Sequence, residues 1–78
     1  MAGFLGMSPP SNPGSDLAVL SSIVTQVDDL GRRVTELAER YGETPDSAVA
    51  TELFATERAL ATARRTLDRA SALLEALR

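Results

Sequence analysis

The chain has 78 residues, a mass of 8.3 kDa, a net charge of −3 and a pI near 4.7. It contains no Cys and no His, which excludes disulfides, zinc fingers and thiolate or imidazole ligation. The acidic balance speaks against a dedicated nucleic-acid binder, whose footprint is normally basic, and a core this small leaves association as the remaining source of stability.

Residues 1–14 read as a disordered, Pro/Gly/Ser-rich tail. Ser8, Pro9, Pro10, Ser11, Asn12, Pro13 and Gly14 are turn and polyproline chemistry without periodicity. Ahead of them Phe4, Leu5 and Met7 are apolar residues without a core of their own. Phe4 and Leu5 are therefore candidates for a docking peptide that inserts into a partner groove. The opening lacks a basic n-region and its apolar run is too short for a signal peptide. Ala2 occupies the place a myristoylation signal needs for Gly. No stretch approaches the ~18–20 apolar residues of a membrane span. The expectation is a cytoplasmic protein without a membrane partner.

A first helix is predicted over residues 15–41. Ser15 can cap its first turn, Asp16 suits the positive end of the helix dipole, and Gly42 would supply a left-handed C′ residue. Leu20, Ile23, Val27, Leu30, Val34, Leu37 and Tyr41 recur at steps of three and four, which keeps one stripe toward one partner. Asp28, Arg32, Glu36 and Arg40 fall four apart with alternating sign, as do Asp29 and Arg33. Such pairs stabilise a helix by about 0.2–0.5 kcal/mol each. Gly31 lies beside the stripe. A glycine there costs about 1 kcal/mol relative to Ala, which suggests close approach of another backbone or a kink, with a continuous helix preferred.

A turn at residues 42–44 leads to a second helix over residues 45–77. Thr44 is the expected N-cap and Pro45 the first helical residue, followed by Asp46. Leu53, Thr56, Leu60, Ala63, Leu67, Ala70, Leu74 and Leu77 form its ladder. The helices would be about 40 Å and about 50 Å long. So short a connection makes them antiparallel neighbours. Counting from the turn then sets Leu37 against Leu53, Val34 against Thr56, Leu30 against Leu60, Val27 against Ala63, Ile23 against Leu67 and Leu20 against Ala70. Large residues would alternate with small ones across the seam. The fold class is all-α: an antiparallel, coiled-coil-like two-helix hairpin.

Apolar residues are left over. Leu17, Val19, Val24 and Ala38 stand beside the first ladder, and Ala50, Phe54, Ala59, Ala61 and Leu73 beside the second. A lone hairpin has no second layer to cover them, so two copies pairing into a four-helix bundle, or one copy on a different protein, is expected. β-branched residues at alternate positions of the first ladder would also suit a parallel seam across a dimer axis. Val24, Phe54 and Leu73 are the candidate apolar contacts outside the tail. Arg58, Arg65 and Arg69 are the candidate charged contacts, while Arg64 can pair with Asp68 on its own helix.

Catalytic chemistry is not indicated. There is no His for acid–base work, no nucleophile elbow, no phosphate-cradling glycine loop and no HExxH. Glu36, Glu39 and Glu43 are helically spaced carboxylates on the polar face. No metal, cofactor or enzymatic activity is expected. The residues favour a protein–protein interaction module, a small adaptor or regulator that self-associates and binds a partner. A nucleic-acid or nucleotide-binding regulator using the Arg face of the second helix is the alternative, and an exported hairpin is a third reading. The small Trp-x-Gly secretion-substrate family also folds as a hairpin, but this chain has Tyr41-Gly42 at the turn and no Trp, so it is not assigned there.

Overall fold

The computed structural model describes residues 12–78; Phe4, Leu5 and most of the expected tail lie outside them. Two helices, α1 (Pro13–Tyr41) and α2 (Ser47–Glu75), pack against each other as a hairpin, and no strand occurs among the described residues. Each helix has 29 residues and is about 43 Å long. The unequal lengths expected from the sequence are therefore replaced by equal ones.

The helix ends differ from expectation for identifiable reasons. Asn12, not Ser15, caps α1: its Oδ1 accepts a hydrogen bond from the Ser15 backbone N–H at 3.2 Å. Pro13 then opens the helix, where its missing N–H is no loss. A proline assigned to the tail because it cannot propagate a helix is thus the residue that starts one. Gly42 leaves α1 at φ −61° and ψ −27°, a right-handed conformation, and no described residue has positive φ. Thr44 organises the turn instead of starting α2. Its hydroxyl donates to the Tyr41 carbonyl at 2.8 Å and accepts from the Asp46 N–H at 3.1 Å. Pro45 and Asp46 belong to the turn, and Asp46 holds the N-cap position without a side-chain cap bond. At the far end α2 stops at Glu75, with Leu77 beyond it.

The seam is rotated by one position relative to the expected ladders. On α1 the inward positions are Leu17, Leu20, Val24, Val27, Gly31, Val34 and Ala38, all half-buried or buried. On α2 they are Ala50, Leu53, Glu57, Leu60, Arg64, Leu67, Ser71 and Leu74. Both rows step by three and four. Leu20, Val27 and Val34, like Leu53, Leu60, Leu67 and Leu74, are common to the expected and observed rows. The alternate positions are not: Ile23, Leu30 and Tyr41, and Thr56, Ala63 and Ala70, are exposed, and of that row Leu37 alone stays half-buried. Counted outward from the turn, Ala38 falls level with Leu53, Val34 with Glu57, Gly31 with Leu60 and Val27 with Arg64. The last two levels share one shallow concavity.

Packing is tightest beside the turn, where Ala38 and Ala50 are the buried hydrophobic residues. Among the described residues no large side chain is fully buried. Gly31 lies within a continuous α1, and a Cβ built there meets nothing within 4 Å. Neither a kink nor a close backbone approach explains it. Replacing Gly31 by Ala removes the glycine's extra freedom in the unfolded chain and adds a methyl beside Leu60. Gly31→Ala is expected to stabilise the hairpin by about 1 kcal/mol, read as a higher thermal midpoint by circular dichroism.

Candidate functional site

The two long flanks of the hairpin differ in chemistry, and the difference follows from the seam. In an antiparallel helix pair, a residue beside the seam on one helix shares its flank with the corresponding residue on the other. One flank carries Ser21, Asp28 and Thr35 of α1 with Phe54, Ala61 and Asp68 of α2. Here Arg64, a half-buried seam residue, donates from Nη1 to Asp28 of α1 and from Nε to Asp68 Oδ1 at 3.1 Å. The hydrogen bond to Asp28, and then that to Asp68, raises the Arg64 pKa above its ordinary value. A raised folded-state pKa favours the fold below the unfolded pKa and ceases to do so only above it, far outside the physiological range. Arg64 is therefore a fixed cation at neutral pH. The Arg64–Asp68 pair foreseen on one helix extends across to α1.

The outer charges of α1 pair differently from the four-apart expectation for Asp28 and Arg32. With Asp28 turned toward Arg64, Arg32 pairs with Asp29 at 2.6 Å, and Arg33 reaches the same carboxylate at 3.8 Å. All these side chains are well exposed, so each pair contributes little to stability.

The opposite flank is apolar. On α1 it presents Ile23 and Leu30, with Leu37 half-buried nearer the turn and Val19 further out. On α2 it presents Val49, Thr56, Ala63 and Ala70, with Leu73 further out. Leu30 is 44% exposed, Val19 57% and Leu73 72%. The α1 row is bulky and the α2 row, past Val49, is small. Leu30 also borders both shallow depressions on the outside of α1.

The residues singled out from the sequence distribute unevenly over this geometry. Leu73 lies at the edge of the apolar flank, whereas Phe54 is half-buried on the ionic one. Val24 is half-buried in the hairpin's own seam, because the rotated register turns it inward. Arg58, Arg65 and Arg69 are exposed on the outer side of α2. Arg65 donates to Thr62 Oγ1 at 3.1 Å and Arg69 to Thr66 Oγ1 at 3.3 Å, each one turn back on its own helix. Spacing alone assigns Ile23, Leu30, Ala63 and Ala70 to the seam, which hides their exposure on a common flank. The polar residues Glu57, Arg64 and Ser71, seven apart, could not be recognised as seam residues from hydrophobicity.

No group of three or more Asp or Glu among the described residues is arranged to hold a metal ion. No helix among them is long and apolar enough to cross a membrane. No family model matches this chain, and neither does any curated protein or solved structure.

Proposed function

We propose that this chain is a non-enzymatic protein–protein interaction module, a small helical adaptor or regulator that works by self-association and partner binding. The observation that carries the reading is the apolar flank: Ile23, Leu30 and Val49 stay exposed on one side of a hairpin that fully buries no large side chain. Such a surface gains free energy only by covering, at about 25 cal/mol per Å² of apolar area removed from water. The lack of His and Cys is consistent with a role in assembly rather than chemistry. A four-helix bundle of two hairpins is the architecture that satisfies the exposed rows. Nucleic-acid contact through Arg58, Arg65 and Arg69 is weaker, since two of these arginines already have partners on their own helix and the net charge is −3.

Sedimentation equilibrium of the full chain tests the proposal. A dimer mass that dissociates on dilution through the micromolar range is expected. A folded monomer that stays monomeric at about 100 μM, far above the concentrations at which a standard-sized interface assembles, rules self-association out.

A further inference from the structure

Resting on that reading, we infer that the occupant of the apolar flank is a second copy of this chain, seated with α1 over the partner's α2 and with both turns at the same end. The first argument is shape. The flank carries a bulky row on α1 (Ile23, Leu30, Leu37) and a small row on α2 (Thr56, Ala63, Ala70). Two copies related by a two-fold axis can meet flank to flank in two ways. An axis across the helices puts α1 on α1, bulky on bulky, and leaves a void between the small rows. An axis along the helices puts each bulky row into the opposite small row, which is how close-packed layers interdigitate.

The second argument is register. An axis along the helices preserves height, so contacts follow from the levels already set within one hairpin. Leu30 then meets the partner's Ala63, and Ile23 meets the partner's Ala70. At the outer edge Val19 meets the partner's Leu73, and Arg40 meets the partner's Glu52. Every one of these juxtapositions is compatible, and the last is complementary in charge. Neither Arg40 nor Glu52 makes an ion pair within the described hairpin.

The third argument is size. Two helices about 43 Å long, side by side, offer a flank of roughly 800–900 Å², about what each partner contributes to a standard stable interface.

Since the chain has no Cys, single cysteines report on this arrangement cleanly. Arg40→Cys and Glu52→Cys chains, each exposed at its site, are mixed, oxidised and run on a non-reducing gel. The 40–52 heterodisulfide is expected to exceed both homodisulfides, because only the proposed seating brings these positions within the roughly 4.4–6.8 Å Cα separation a disulfide needs. Val19→Cys mixed with Leu73→Cys is expected to behave the same way at the open end. A sedimenting dimer in which neither mixed pair links, or in which homodisulfides dominate, overturns the seating and leaves self-association standing. A monomer at about 100 μM overturns both, and assigns the flank to residues 1–11 or to a different protein.

Discussion

Leu53→Asp is expected to remove most of the helical signal of this chain. Leu53 is an inward residue of α2, half-buried and level with Ala38, the most completely buried residue of the described chain. An aspartate there loses the buried apolar area of leucine and puts a carboxylate into the tightest part of the seam. Its neighbour one turn on is Glu57, itself inward, so the new charge meets a like charge at a helical spacing that is itself unfavourable. The combined effect is about 3 kcal/mol or more. A two-helix chain of this length has little margin against such a loss. The ellipticity at 222 nm should fall by more than half at room temperature. Leu60→Asp is a gentler test of the same seam, because Arg64 stands four residues on and can neutralise the new carboxylate. Thr56→Asp discriminates the registers. The spacing of the ladder puts Thr56 in the seam, whereas the structure leaves it exposed on the apolar flank, so Thr56→Asp is expected to spare the hairpin and to keep its helicity at high chain concentration. Helix loss in Thr56→Asp as deep as in Leu53→Asp, and not reversed at high chain concentration, would show that the rotated seam is wrong.

Leu30→Glu separates association from folding. Leu30 is 44% exposed in the hairpin, and glutamate is nearly as good a helix former as leucine, so the single hairpin loses little. In the proposed dimer Leu30 sits centrally on the bulky row, where a carboxylate would be desolvated against apolar side chains, with Arg33 one turn on as its nearest counter-charge. Central, well-packed anchors of this type dominate the affinity of an interface. The dissociation constant should rise about tenfold or more, measured by sedimentation or by dilution calorimetry. Where dissociation and unfolding are linked, the same change appears as helix loss at correspondingly higher concentrations. An unchanged dissociation constant would place the contact elsewhere on the hairpin.

The hairpin itself was legible in the sequence because two signals agreed. Steps of three and four run through both halves, and a short Gly-Glu-Thr-Pro stretch divides them. What was not legible was which of two overlapping ladders faces inward. Leu20, Val27 and Val34 belong to both, and so do Leu53, Leu60 and Leu67. The choice between Ile23 and Val24, or between Ala63 and Arg64, is not made by hydrophobicity. Reading the most apolar row as the seam picks Ile23, Leu30 and Ala63. The structure turns Gly31 and Arg64 inward instead, since Arg64 can lay its stem along the seam while its guanidinium reaches Asp28 and Asp68 at the rim. The turn was misread for a related reason. Gly42 and Pro45 have strong textual preferences, but the Thr44 hydroxyl bonds on both sides of it organise the connection with right-handed geometry throughout. The surplus of apolar residues was legible in number but not in place: Val24, Ala38 and Ala50 turn inward, Phe54 lies on the ionic flank, and Ile23 and Leu30 are the ones left exposed.

The Asp28–Arg64–Asp68 clasp has a consequence for how assembly ends. It occupies the flank opposite the apolar one with charged groups that are already neutralised and well solvated. A second copy arriving there would have to strip water from three ionised side chains for little apolar gain. In the proposed dimer the apolar flank is the adhesive, self-complementary patch, and the ionic flank of the described residues offers no second one. Under the proposed seating, assembly is expected to close at two chains and not to run on into filaments.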